Sequence, residues 1–276
     1  MRQLPKEYQD QPTGFYTRRV YARGFEGLDP VLIPWAELRK NEKGVDGFAV
    51  TKVSFERTVV GFTHRDSAGD QRAIFVKRDL LREVSSRMLA PFRSSKEWRE
   101  FNLALAFGSR GVWTPKPVYY AESRQDGFPV RFLATMALES SWVGFRKFSK
   151  RARAFNREWR SLAQFTRRLH ENEMLHADYR ADHLFFDNSR IGVWDDLSAW
   201  AVIDLDGSRC GGKVSRRERL KALRQLAQSL LGAGLREDDM QLFLNVYDPE
   251  GVLKFSAAGI IQYAVARKAA RAEEAD

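Results

Sequence analysis

Between His176 and Gly207 the chain reads His-Ala-Asp-Tyr-Arg-Ala-Asp-His-Leu-Phe-Phe, then a loop, then Trp-Ala-Val-Ile-Asp-Leu-Asp-Gly. This stretch places one carboxylate, Asp178, in a polar turn after a helix and an imidazole, His183, shortly after it. A second carboxylate, Asp204, stands at the end of an apolar strand run. Such a set can hold a divalent cation and a reacting hydroxyl together. In phosphoryl transfer the protein does little covalent chemistry, so carboxylates that place metal and nucleophile supply much of what the reaction needs.

The rest of the chain is large and apolar enough to fold around that stretch. Its 276 residues, 43% hydrophobic and 12% aromatic, predict a substantial core in one two-lobed domain or two small ones. A net charge of +10 suits an anionic partner such as nucleotide, nucleic acid or membrane surface, or simply a surface rich in lysine and arginine. The single cysteine, Cys210, excludes a disulfide or a cysteine zinc site within one chain. The start, Met-Arg-Gln-Leu-Pro-Lys-Glu-Tyr, has no apolar leader, and no segment approaches the roughly 18 apolar residues of a membrane span. The expectation is a cytoplasmic protein that touches a membrane at most from its surface.

Several chemistries drop out. His170-Glu171 does not continue as His-Glu-x-x-His, because position 174 is Met. With only four histidines, a zinc site at His176, Asp178 and His183 has little to draw on. There is no Gly-x-Ser-x-Gly elbow, no Gly-x-x-x-x-Gly-Lys-Ser/Thr loop and no nucleic-acid-binding motif.

In chain order, residues 1–45 carry turns at Pro12 and Gly27 but no assignable chemistry. Strands are predicted at Phe48–Phe55, Thr58–Thr63 and Ala73–Val76. Lys77 ends the third; a lysine there either snorkels to solvent at the sheet edge or serves as a cation for phosphates. A helix is predicted from Ser95 to Phe107, with Trp98, Phe101 and Leu105 on one face. Glu97 falls at the margin of that face and Glu100 about 100° from Phe101, so Glu97 is the expected inward acid. Taken alone it reads more readily as a favourable charge in the helix's first turn beside the Ser94-Ser95 cap. Strands at Val118–Ala121 and Val130–Leu138 complete a lobe of five strands and one helix, and Glu139-Ser-Ser is the expected joint.

Beyond it helices predominate. Phe155, Trp159, Leu162, Thr166 and Leu169 share one helix face, with Arg157, Arg160, Arg167 and Arg168 on the other. Leu220, Leu223, Leu226, Ala227, Leu230 and Leu231 form a second apolar face after a basic stretch, Arg209–Arg219. Residues from Ala264 read as a frayed helix or mobile tail.

Val76-Lys77, Glu97-Trp98-Arg99, His176-Ala-Asp178 with His183, and Ile203-Asp204-Leu205-Asp206 occur in the order found in the protein-kinase-like fold. The sequence resembles most the lipopolysaccharide-core sugar kinases, the Kdo and heptose kinases of WaaP/InaA type. Ser94-Ser-Lys-Glu97-Trp98, Gly111-Val-Trp-Thr-Pro-Lys-Pro117 and Asp178-Tyr-Arg-Ala-Asp-His183 carry the likeness, which spans residues 48–231.

The resemblance implies an α+β, protein-kinase-like two-lobed fold, with a small antiparallel-sheet N-lobe holding one helix and a mainly helical C-lobe. It divides the chain into an N-terminal extension (1–45), an N-lobe (46–138) and a C-lobe (139–276). Its function would be ATP-dependent phosphorylation of a Kdo or heptose hydroxyl of the lipopolysaccharide core or its precursor. Peripheral contact with an anionic membrane surface and no nucleic-acid partner are implied as well. A kinase of another small molecule or of protein, or a silent kinase-like binding module, would keep the same residues.

By that resemblance Lys77, paired with Glu97, meets the α and β phosphates, and Asp178 orients or deprotonates the acceptor hydroxyl. Asp204 binds Mg²⁺. His183 occupies the place of the usual Asn; imidazole is a poor partner for a hard cation, so it is expected on phosphate or on Asp178 rather than on a second metal. Arg57, Thr58, Met136 and Leu138 would line the nucleotide site. The turn at Ser54–Thr58 lacks a Gly-x-Gly-x-x-Gly loop, Ala177 replaces the loop arginine of protein kinases, and Asp206 stands in place of the glycine of Asp-Phe-Gly.

Overall fold

The computed structural model describes residues 4–10, 18–38, 40–41, 44–45, 47–53, 57–81, 95–125, 128–147, 156–187, 190 and 197–273. They divide into two units, Met1–Leu105 with Pro115–Ala137, and Ala106–Thr114 with Leu138–Asp276.

The first unit is built on a seven-stranded antiparallel sheet. Its strands are β1 (Tyr8–Asp10), β2 (Arg18–Ala22), β3 (Ala49–Val53), β4 (Arg57–Arg65), β5 (Gln71–Leu80), β6 (Pro117–Gln125) and β7 (Phe128–Met136). Their order across the sheet is β1-β2-β6-β7-β5-β4-β3. Side chains alternate between faces along a strand. On β5, Ile74, Val76, Arg78 and Leu80 are therefore buried, while Phe75, Lys77 and Asp79 share the opposite face.

Two of these strands fall in what reads from sequence as an extension. Val20, Tyr21, Ala22, Phe25, Leu28, Ile33, Trp35 and Leu38 are buried in one cluster with Val60, Ile74, Val76 and Leu80. Trp35 opens the short helix α1 (Trp35–Leu38) and donates from Nε1 to the Pro30 carbonyl at 2.7 Å. Tyr8 and the buried residues between Val20 and Leu38 are thus part of the first unit's core. Strands of three and five residues are too short to show alternation, which is why the sequence alone does not mark them.

Helix α2 (Lys96–Gly108) is started by Ser95, whose hydroxyl accepts from the Trp98 backbone N–H at 2.9 Å. Ser94 lies outside the described residues. Trp98 stacks on Phe101 with ring centroids 5.3 Å apart and lies 5.0 Å from Tyr120 of β6, and the Arg18 guanidinium of β2 caps it at 3.6 Å.

The second unit is mainly helical. It contains β8 (Trp142–Gly144), α3 (Asn156–Glu171), β9 (Met174–Leu175), β10 (Leu184–Asp187), β11 (Trp200–Val202), β12 (Arg209–Cys210), α4 (Arg216–Leu230), α5 (Glu237–Tyr247) and α6 (Ala257–Glu273). Strands β11, β10 and β8 form one small sheet, and β12 pairs with β9. Trp159, Leu162, Thr166 and Leu169 bury the apolar face of α3, while Phe155 lies outside the described residues. Phe145, Phe165 and Phe186 surround Trp200, whose Nε1 donates to Ser161 Oγ at 2.9 Å. Ser215 and Glu218 form a capping box at the start of α4. The expected frayed tail is helical to Glu273, and Arg224 of α4 stacks on Tyr263 at 4.2 Å.

Candidate active site

In the first unit, Lys77 projects from β5 and its Nζ lies 2.5 Å from Glu100 Oε1. Glu97, the expected partner, instead faces Asp79 and Arg57. Arg57 donates to Asp79 from Nε at 3.2 Å and Nη2 at 2.9 Å, and its Nη2 is 3.6 Å from Glu97 Oε1. The sheet order accounts for the correction. The apolar stripe of α2 covers β2 and β6, so the helix flank towards β5 carries both acids, one turn apart, and Glu100 meets Lys77.

The two carboxylates do different work. Burial, then a hydrogen bond with Asp79 and the charge on Asp79, push the Glu97 carboxyl up to about 8, so Glu97 is protonated at neutral pH. Burial works against ionisation of Asp79 as well, but hydrogen bonds from Glu97 and Arg57 hold it below the ordinary carboxylate range. Glu97 is thus a donor to Asp79 at neutral pH.

Three further nucleotide expectations meet the structure here. Thr58 is 1% exposed and sits opposite Arg78, on the core side of the sheet, so its side chain cannot serve a ligand on the Lys77 side. Met136 sits opposite Ile74 and packs on the core cluster, also away from Lys77. Both corrections follow from strand alternation once register is known. Leu138 is half-buried at the start of the second unit's long segment.

In the second unit the turn around Asp178 is held through its backbone. His176 is buried, donates from Nε2 to the Ile203 carbonyl at 2.8 Å and accepts the Asp178 backbone N–H on Nδ1 at 3.2 Å. Those two bonds fix one tautomer, and burial lowers the ring's pKa to about 4. His176 therefore ties the turn of Asp178 to the residue before Asp204. From α4, Gln225 donates to the Ala177 carbonyl at 3.1 Å and accepts from Tyr179 N–H at 3.3 Å, while Ser229 Oγ accepts from Ala181 N–H at 2.9 Å. Tyr179 is anchored below by Thr166, hydroxyl to hydroxyl at 2.7 Å.

His183 stands between the two carboxylates. Its Nδ1 contacts the Asp178 carbonyl oxygen at 2.9 Å, and a carbonyl can only accept, so Nδ1 carries the proton. Asp178 Oδ2 is 3.6 Å from the same nitrogen, and Asp204 Oδ2 is 3.9 Å from Nε2. Arg180 adds a contact to Asp178 Oδ2 at 2.8 Å. Asp204 has φ +58°, a left-handed conformation that Asp tolerates better than most residues and that turns the chain sharply after β11. A Cβ on Gly207, φ +69°, would meet the Ala177 methyl at 3.4 Å, and Ala177 N–H donates to Ser208 Oγ at 3.1 Å. Small residues at 177 and 207 let the two loops lie against each other.

Arg180, Gln225 and Ser229 were not singled out from sequence. The available signal was polar residues at 225 and 229, one turn apart among the leucines of α4.

A sequence profile described as the Lipopolysaccharide kinase (Kdo/WaaP) family matches residues 43–247. The chain belongs to that family. It is therefore a kinase, a phosphotransferase acting on sugar hydroxyls of lipopolysaccharide. No curated protein matches this kinase in sequence. Among solved structures it is similar to WaaP in complex with acyl carrier protein, at 23% identity and a TM-score of 0.61, over 92% of this chain and 98% of that one. A divergent kinase lacking the glycine-rich loop, which regulates membrane ultrastructure of the Toxoplasma parasitophorous vacuole, matches at 14% identity and a TM-score of 0.43, over 85% and 84% of the two chains. Vaccinia related kinase 3 matches at 13% and 0.36, over 73% and 74%. The fold is the protein-kinase-like one, mixed α and β with an antiparallel sheet.

Proposed function

We propose that this kinase uses ATP with Mg²⁺ to phosphorylate a Kdo or heptose hydroxyl of the lipopolysaccharide inner core or its precursor. The observation that carries the site assignment is His183, with one ring nitrogen on Asp178 and the other turned to Asp204.

In this reading Asp178 accepts a hydrogen bond from the acceptor hydroxyl and takes its proton as the oxygen attacks the γ-phosphorus and the bond from that phosphorus to the β–γ bridging oxygen breaks, releasing ADP. His183 and Arg180 fix the carboxylate's direction. Lys77, held by Glu100, neutralises α- and β-phosphate charge. Arg57, already engaged by Asp79, contributes to the phosphate side through its positive field. The Asp204 carboxylate is 45% exposed and offers the oxygen a hard cation prefers. Mg²⁺ bound there would neutralise phosphate charge. The Nε2 of His183 is a softer donor and serves better as a phosphate contact.

The acceptor carries carboxylate or phosphate groups, which suits the basic segment from Arg209 to Arg219. Among the described residues no helix is long and apolar enough to cross a membrane. Contact with the cytoplasmic face of the inner membrane would then be peripheral, through the net charge of +10.

The test is ATP turnover on purified lipopolysaccharide core and on Kdo- and heptose-terminated precursors. Mg²⁺-dependent phosphate on one of the two sugars, lost in Asp178→Ala and Asp204→Ala, is expected. Transfer to neither sugar, with transfer to some other small molecule or to protein, would overturn the acceptor assignment.

A further inference from the structure

Helix α4 opens against its own dipole. The N-terminal turn of a helix favours acids, yet that of α4 holds Arg216, Arg217 and Arg219, with Lys213 just before it. The acid in that turn, Glu218, is committed elsewhere: it accepts from the Ser215 backbone N–H at 2.8 Å and pairs with Arg209 at 3.0 Å.

Lys213, Arg216 and Arg219 line a cavity of about 350 Å³ within the second unit, bounded also by the end of α3 and the turn that follows α5. Arg219 donates from Nε to the Val214 carbonyl at 3.1 Å and from Nη1 to the Tyr247 hydroxyl at 3.5 Å. Arg216 donates from Nε to the Leu253 carbonyl at 2.7 Å and from Nη2 to the Lys254 carbonyl at 3.3 Å. All four acceptors are neutral. Among the described residues the Lys213 ammonium has no hydrogen bond or ion pair. The acids that line the cavity are engaged with other groups. Glu171 pairs with Arg167 at 2.6 Å, and the charges of Glu250 and Asp248 act on Arg167 as well. The Asp248 carboxylate also accepts the Val252 and Leu253 N–H groups at 3.1 and 2.8 Å. Among the described residues, three cations thus line one cavity without a paired carboxylate.

We infer that this cavity binds a phosphate group, carried by a soluble phosphate ester or by the headgroup of an anionic lipid. Guanidinium forks and an ammonium suit phosphate oxygens, and a bound anion offsets the charge gathered at the start of α4. Val252, 70% exposed, and Leu253 also line the cavity and offer apolar surface to the carbon skeleton that bears the phosphate. No residue is shared with the group around Asp178 and Asp204, and the site stands whichever sugar this kinase phosphorylates.

The test is calorimetric titration of the full chain with inorganic phosphate, and co-sedimentation with vesicles of phosphatidylcholine alone or mixed equally with phosphatidic acid. Lys213→Gln and Arg216→Gln should each weaken phosphate binding on the order of tenfold. Lys213 has no side-chain partner to lose, so its substitution leaves the fold intact. Lys77→Gln and Lys268→Gln, the latter removing an exposed cation of α6 outside the cavity, should change nothing. Phosphate binding without retention on phosphatidic acid supports the site and identifies a soluble ester as its ligand. Retention on phosphatidic acid but not on phosphatidylcholine, weakened by the same two substitutions, supports it and identifies a lipid headgroup. A loss in Lys77→Gln with none in Lys213→Gln or Arg216→Gln would place the phosphate at the strand lysine and overturn the inference. An equal loss in Lys268→Gln would reduce it to net charge, and absence of both phosphate and vesicle binding would overturn it outright.

Discussion

Lys77 in the first unit and Asp178 in the second are positioned by different means. Lys77 is set by charge, through Glu100, beside a second group of Arg57, Asp79 and Glu97. Asp178 is set mostly through the backbone, by His176, His183, Gln225 and Ser229. A position held by charge depends on protonation and on which acid lies nearest. A position held by backbone hydrogen bonds depends less on which charged group lies nearest. The comparison therefore predicts that the two groups respond differently to substitution and pH.

The largest effect is expected in the second unit. Asp178→Asn keeps the shape of the turn but removes the proposed base, and kcat for sugar phosphorylation should fall on the order of 10²- to 10⁴-fold with the circular dichroism unchanged. Steady-state kinetics on the same acceptor as wild type checks it. An activity within a few fold of wild type would take Asp178 out of the chemistry.

Gln225→Ala should come next. It removes a donor and an acceptor from the backbone of residues 177–179 without touching substrate. Leaving those groups unpartnered costs about 1–3 kcal/mol. The expected kinetic signature is a lower kcat with little change in the KM for ATP, and Gln225→Glu should rescue only the bond to the Tyr179 N–H. A parallel rise in KM would place Gln225 in nucleotide binding instead.

These contrasts track what could be read from sequence. In the second unit the grouping of Asp178, His183 and Asp204 was legible because the turn and the strand end are local and the three residues lie within one stretch. Their supports on α4 were not, since a glutamine among leucines does not say which backbone it will reach. In the first unit Lys77 stood out after an apolar run, although it does not end the strand as expected: β5 continues to Leu80. Its partner was not legible: Glu97 and Glu100 are one turn apart, and the choice depends on which side of α2 faces β5, a property of the strand order. The same gap misplaced Thr58 and Met136, whose facing follows from hairpin register, and the short strands β1 and β2, whose apolar residues recur at no helical or strand period.

The smallest effect is on stability and belongs to Glu97. Its pKa is raised to about 8 in the folded protein, so between the ordinary carboxylate range and pH 8 the folded state holds a proton that the unfolded state has lost. That contribution is complete at acid pH and is lost as pH rises through about 8. Glu97→Gln keeps a donor to Asp79 without a titrating proton. Denaturant melts across this pH range should therefore show a shallower decline for the variant than for wild type, and equal slopes would contradict a protonated Glu97.

Which acid holds Lys77 is measured most directly by side-by-side ATP turnover of Glu100→Gln and Glu97→Gln at neutral pH. Glu100→Gln should lose on the order of tenfold or more in kcat/KM, the usual cost of a hydrogen bond to a charged group, and Glu97→Gln should stay close to wild type. The reverse ranking would return Lys77 to Glu97 and contradict the geometry found on β5 and α2.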